Sequence, residues 1–210
     1  MKGVFIVLEG PDGSGKSTQI RLLTEYLEQA GREYIVTREP GGTPIGEQIR
    51  KLILDENNKE MSDVTEMLLY AASRAQLVKE VIGPAIEEGK VVISDRFVDS
   101  SVVYQGIARG LGADTVYSVN DPAIGVYRPD LVIYLDISED EGIRRKKNQK
   151  KLDRLEQESL DFHHMVSEGY RSLLSGREDV ERIDGSLDRN EIQEKIRSAL
   201  FRLTEGNIRE

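Results

Sequence analysis

The nine residues Gly10-Pro-Asp-Gly-Ser-Gly-Lys-Ser-Thr18 constrain this chain more than any other segment. They fit G-x-x-x-x-G-K-[ST] at Gly10, Gly15, Lys16 and Ser17, follow the apolar run Val4-Phe-Ile-Val-Leu8, and open a helical pattern. A strand, a glycine-rich turn and a helix in that order let backbone N–H groups converge on an anion, with the partial positive charge of the helix N-terminus behind them. Lys16 is long enough to reach outer phosphates, and the Ser17 hydroxyl suits a Mg²⁺ ligand. The bland alternative, a strand-to-helix turn without a ligand, gives no packing reason for Lys-Ser at that spacing. The loop therefore implies a nucleoside triphosphate, without saying what its phosphate is used for.

Short apolar runs recur along the chain and alternate with helical periodicity. Strands are predicted at Gly3–Glu9, Glu33–Arg38, Val91–Ser94, Leu131–Leu135 and Asp179–Ile183. Helices are predicted at Lys16–Ala30, Ile45–Leu54, Asp63–Glu88, Asp99–Ala108, Glu139–Lys147, Arg154–Leu174 and Asn190–Leu203. This order implies an α/β fold: a doubly wound, five-stranded, mostly parallel sheet flanked by helices. Ligands of such sheets bind beyond the carboxyl ends of the strands. There the sequence puts Glu9-Gly10, Arg38-Glu39, Asp95-Arg96, Asp136 and Asp184-Gly185. Asp136 reads best as a strand-end residue, whereas a carboxylate beside a guanidinium at Asp95-Arg96 suits Mg²⁺ and a phosphate together.

Composition sets the outer limits. A chain of 210 residues with 38% hydrophobic and 32% charged residues suits one domain spanning residues 1–210 with a full core. No apolar run approaches a membrane span. Met1-Lys2-Gly3 leads into a strand with no leader pattern, and the chain has no Cys, so a cytoplasmic setting is expected. The net charge of −9 argues against a general nucleic-acid partner. His163 and His164 make no metal site alone and read as one core-facing and one solvated helix position.

Further residues look like a second site. Tyr70 and Arg74 share a helix face, where a ring and a planar guanidinium suit a nucleobase. Taken alone, a core Tyr70 and a salt-bridged Arg74 is the commoner arrangement. Tyr104-Gln105-Gly106 adds an aromatic and an amide, and Arg38, Arg50 and Arg96 are candidates for an acceptor phosphate. The basic run Arg144-Arg-Lys-Lys-Asn-Gln-Lys-Lys151 reads equally as a solvated helix face or as a lid over a triphosphate.

Taken together these segments resemble the thymidylate kinase family. The resemblance is carried by Phe5–Thr18, by Arg38-Glu-Pro-Gly-Gly-Thr43 with Arg50, by Tyr70-Ala-Ala-Ser-Arg-Ala-Gln76, by Asp95-Arg96-Phe97 with Tyr104-Gln-Gly106, and by Leu152-Asp-Arg-Leu-Glu-Gln-Glu158. It covers nearly the whole chain in order. It implies a P-loop NTPase fold with a short helical lid at about 141–156, and phosphorylation of dTMP to dTDP by Mg²⁺-ATP. It implies that Gly10, Pro11, Asp12, Gly13, Ser14, Gly15, Lys16, Ser17 and Thr18 hold ATP, with Gly185 near adenine, and that Ser17 and Asp95 hold the metal, partly through water. Tyr70 would stack on thymine and Arg74 hydrogen-bond it, with Ser101 near the base edge. Arg38, Arg50 and Arg96 would bind the dTMP phosphate, beside Glu39, Pro40 and Gln105, and Tyr104 would crowd the 2′ position. A homodimer is implied as well.

An acidic P-loop residue, here Asp12, goes with lid arginines in some members. This lid substitutes Lys and Gln for several of them, which leaves Arg145, Lys147 and Arg154 as candidates for the transferring phosphate beside Lys16 and Arg96. The acceptor is already an anion, so no general base is required. Two rivals remain: a kinase for another nucleotide, and an ATP-dependent switch whose turnover needs no small-molecule acceptor.

Overall fold

A computed structural model of the chain describes residues 3–146 and 153–206. Its centre is a five-stranded sheet of β1 (Val4–Glu9), β2 (Tyr34–Arg38), β3 (Val91–Asp95), β4 (Leu131–Asp136) and β5 (Val180–Asp184), in the order β2-β3-β1-β4-β5. Every pairing is parallel, so the sheet is wholly rather than mostly parallel. Burial on both faces explains the near-continuous apolar runs of β1, β3 and β4. Alternation then sorts each strand. Val4, Ile6 and Leu8 pack with Ile93, Ile133 and Leu135 under α1 (Lys16–Gln29) and α9 (Arg189–Gly206). Phe5, Val7, Val92 and Val132 face the other way, where α3 (Asp63–Leu77) and α6 (Ala113–Ile124) contribute Met67, Leu77, Val116 and Ile124.

The register sets the chemistry of one edge. Leu8 and Arg38 both lie opposite Asp95, so Glu9, Arg38 and Asp95 emerge together at the carboxyl end of the sheet. α2 (Pro44–Leu54) is capped by the Thr43 hydroxyl and α3 by Ser62.

The helices differ from the sequence expectation in four places. The helix expected from Asp63 to Glu88 is continuous but changes pitch, with α3 passing through a π-helical stretch, Val78–Ile82, into α4 (Gly83–Glu87). The segment after β3 starts as α5 (Val98–Ser101) and widens into a second π stretch, Val102–Ala108. α6 is absent from the sequence reading because it begins after Gly112 with no side-chain cap and carries Asn120-Asp121-Pro122, which reads as a breaker. The helix expected from Arg154 begins only at Leu160 as α8 (Leu160–Leu173), where Ser159 caps it. Before it, the Asp153 carboxylate accepts from the backbone of Leu155 and Glu156 and holds a turn. α7 (Glu139–Lys146) follows β4.

Candidate active site

The loop between β1 and α1 is shaped by its glycines. Gly13 and Gly15 have φ of 78° and 96°, and a Cβ on Gly10 would stand 2.6 Å from the Leu135 carbonyl oxygen. Gly15 starts α1 without a side-chain cap, and no acid occupies the first turn, so the N–H groups there are left for an anion. Lys16 folds back over the loop, its Nζ 2.9 Å from the Gly10 carbonyl and 3.1 Å from that of Pro11. Burial, and then the nearby Arg96, lowers Lys16 to about 8. Ser17 and Thr18 are exposed at the loop's mouth, and Ser14 is buried. α7 sits directly on this loop: a Cβ on Gly13 would lie 2.6 Å from the Gly142 carbonyl oxygen, and one on Gly142 2.8 Å from that of Asp12.

Across the cleft stands Arg96, the one described non-glycine residue with positive φ, at 72°. Its Nη2 lies 2.6 Å from Asp12 Oδ1, and its Nη1 donates to Tyr170 Oη at 2.9 Å and Ser100 Oγ at 3.2 Å. The Tyr170 hydroxyl in turn donates to Glu9 at 3.0 Å. Glu9 is fully buried and also accepts from Phe97 N and the Ser100 hydroxyl. Burial and Asp99 raise Glu9 above the ordinary carboxylate range, against the pull of Arg96. Glu9, Ser100 and Tyr170 thus position Arg96. Sequence reading puts Glu9 at the ligand edge without a role and misses Ser100 and Tyr170, because a helical serine and an aromatic on an amphipathic helix look like ordinary structure.

A cleft of about 390 Å³ joins these two walls, lined by Asp12, Lys16, Ser17 and Thr18 on one side and by Asp95, Arg96 and Ser100 on the other. Arg38, Glu39, Pro40 and Arg50 also line it. Arg38 is exposed and pairs with Glu47 at 2.8 Å, and Arg50 donates to the Pro40 carbonyl at 2.9 Å. Asp95 Oδ1 is buried and has no hydrogen-bond partner among the described residues. A buried orphan carboxylate oxygen sharing a cleft with the Ser17 hydroxyl is a donor set that fits a hard divalent cation.

The inner end of the cleft is formed by Tyr70, Tyr104 and Gln105. Burial holds both phenols far above their ordinary range, so they stay neutral. The wide π turn brings the adjacent Tyr104 and Gln105 onto the same wall. The Tyr104 ring also receives the Arg96 guanidinium 5.3 Å from its centroid.

Arg74 does not line the cleft. It is buried beneath the wall, paired with Glu39 through Nε and Nη2, bonded to Asn120 through Nη1, and donating from Nη2 to the Phe97 carbonyl at 3.1 Å and Ser101 Oγ at 3.0 Å. The salt-bridged arrangement that sequence alone favoured for Arg74 is the one adopted. Asn120, on the unforeseen α6, is fully buried as its partner. Glu39 is raised to about 7 by burial, which outweighs the pull of Arg74.

The lid candidates separate. Arg145 is partly exposed, pairing with Glu141 at 2.6 Å and donating to the Gly185 carbonyl at 3.0 Å. Gly185 itself packs on Ile137 and the Ser14 carbonyl at the side of the loop. Arg154 is buried, bonded to the Ile53 carbonyl at 2.8 Å and paired with Glu66, so here it ties the chain to α2 and α3. Lys147 lies outside the described residues. Asp136, bonded to Tyr134, Arg171 and Arg182, is structural, as expected.

Comparison with known proteins agrees with this geometry. Residues 8–196 match the family model for thymidylate kinase. A thymidylate kinase from Thermoanaerobacter sp. (strain X514) is 58% identical over 174 residues, 83% of this chain and 85% of the relative. One from Symbiobacterium thermophilum is 50% identical over 195 residues, covering 92% and 91%. One from Exiguobacterium sp. is 43% identical over 210 residues, covering 99% of each. A family model matched over residues 8–196, and relatives 43–58% identical over most of their own length, place the chain in the thymidylate kinase family.

Proposed function

We propose that the two walls of this cleft divide one reaction between them, the loop wall holding ATP and the Arg96 wall holding dTMP. As a member of its family the chain uses ATP and phosphorylates dTMP to dTDP. The observation that carries the division of labour is the single cleft in which Lys16 and Ser17 face Asp95, Arg96 and Tyr104. Lys16 leaves the loop carbonyls for the outer phosphates of ATP, with Gly10 to Thr18 cradling the rest and Gly185 beside the adenine. Arg96, Arg38 and Arg50 take the acceptor phosphate, which needs no base to attack. Alignment and charge neutralisation supply the rate. Ser17 and Asp95 would hold Mg²⁺, which supplies charge neutralisation on the phosphates. Arg145 is the lid group nearest the adenine side, and Arg154 acts as an anchor.

Tyr70 stacks on the base, Tyr104 crowds the 2′ carbon, and Gln105 reads the base edge with an amide oxygen that lacks any partner among the described residues. Arg74 and Ser101 floor this pocket. Measuring ADP release from Mg²⁺-ATP against a panel of nucleoside monophosphates tests the reading. Turnover strongest with dTMP is expected. Equal release with no acceptor would move the protein to the switch class, and another preferred monophosphate would reassign the base pocket.

The assembly we propose is a homodimer in the cytoplasm. Ile45 and Leu52 of α2, with Val64 and Leu68 of α3, are each about half exposed and supply an apolar face. No helix among the described residues is long and apolar enough to cross a membrane. A monomeric mass by light scattering at micromolar concentration would remove the dimer.

A further inference from the structure

Gln105 carries an amide whose two orientations fill the same space but have opposite consequences. Its Nε2 lies 2.9 Å from Glu66 Oε1, while its Oε1 is buried without a partner among the described residues, on a side chain that lines the cleft. Glu66 is buried on α3; Arg109 Nε also reaches Oε1, at a longer 3.4 Å, and the other oxygen is occupied by Arg154 and, at 3.2 Å, by Arg109 Nη2. A carboxylate can only accept hydrogen bonds. Only one orientation of Gln105 therefore satisfies the pair, since the other presses two acceptors together in a buried place.

We propose that Glu66 is a specificity-determining positioning residue. By taking an amide hydrogen of Gln105 it fixes the Gln105 oxygen on the side away from itself, where a base seated against this side chain brings the N3–H of thymine, or the N3 lone pair of cytosine, to that oxygen. The inference rests on the reading of the inner cleft as the base pocket. The ionised state it needs is supported independently. Burial would raise Glu66, but hydrogen bonds from Gln105 and Arg154 and the charge of Arg109 hold it below its ordinary value. Uracil carries the same N3–H, so this device separates thymine and uracil from cytosine and not from each other.

Glu66→Gln tests it. The closer donors, Arg154 and Arg109 Nη2, keep the new amide's oxygen on their side, so its NH₂ faces Gln105, which turns over and offers its own NH₂ to the base. The ratio of kcat/KM for dTMP to that for dCMP should fall about tenfold or more, with the KM for ATP unmoved. A purely structural Glu66 would lower both substrates together, and an unchanged ratio overturns the proposal. The exchanged pair, Glu66→Gln with Gln105→Glu, again turns a group that can only accept toward the base. Preference for dTMP should return, and a ratio that stays low overturns the proposal even if the single variant does not fold. Gln105→Ala separates the two layers. If it leaves the ratio unchanged, the base-pocket reading fails and the proposal with it. If it collapses the ratio while Glu66→Gln does not, only the role of Glu66 is lost.

Discussion

In the proposed reading the two walls of the cleft solve the same problem, holding phosphate, with different materials. The loop wall is backbone: glycines at positive φ, an uncapped helix start and one lysine, all within Gly10–Thr18. The opposite wall is side chain: Arg96 held by Asp12, Ser100 and Tyr170, with Glu9 behind them, residues up to 161 positions apart in sequence. Behind Tyr70 and Gln105 a second buried cluster holds another arginine in the same way, Arg74 by Glu39, Asn120 and Ser101. Backbone amides hold their direction without help, whereas a long cation must be held by neighbours. The loop wall is therefore local and the Arg96 wall is distributed.

If that contrast is right, damage to the two sides should differ in kind. Arg74→Ala strands the buried Glu39 carboxylate, which should cost about 3–5 kcal/mol of stability, or on the order of 10 °C in Tm for a chain of this length. It should also impair dTMP use more than ATP affinity. A thermal melt that matches the parent would break the contrast at its strongest point. Lys16→Ala should do the reverse, lowering kcat by about 10²–10³-fold with the melt unchanged; near-normal turnover would remove the loop from the reaction. Tyr170→Phe keeps the ring stacked on Tyr134 at 5.6 Å but deletes one partner of Arg96. Loss of about 1.5–3 kcal/mol should appear in kcat/KM for dTMP and not in the KM for ATP, and equal damage to both substrates would make Tyr170 mere packing.

The smallest effect is in the pH profile. Because burial and Arg96 lower Lys16 to about 8, the free enzyme loses this cation as pH rises through that value. So kcat/KM for ATP should fall about tenfold per pH unit above it. The same shift makes stability rise with pH between about 8 and 10.5, since the unfolded chain then binds the proton that the folded one has released. A flat profile to pH 9.5 would mean that phosphate binding does not depend on the Lys16 charge.

Legibility in the sequence follows the same division. The loop, the five strands and most helices were readable because each depends on a short window: glycine spacing, an apolar run, a 3.6-residue period. α6 is hidden by its own Pro122, and α8 reads as starting six residues early because the run before Leu160 continues the helical pattern while Asp153 turns the chain instead. Tyr70, Tyr104, Gln105, Arg38, Arg50 and Arg96 do share a cleft with the loop. Arg154 read as a lid cation because it follows a basic run, yet its partners Ile53 and Glu66 lie about ninety to one hundred residues upstream. Nothing in a local window announces such a partner, and the same holds for Glu9, Asn120 and Tyr170.

Arg96 sits in a backbone conformation that favours glycine. Drift at this position therefore has an easy escape. A glycine there would relax the turn after β3 and, on the proposed role of Arg96, empty the anion clamp, so the chain would keep its fold and lose its trade. Ease of folding and the proposed chemistry pull in opposite directions at position 96.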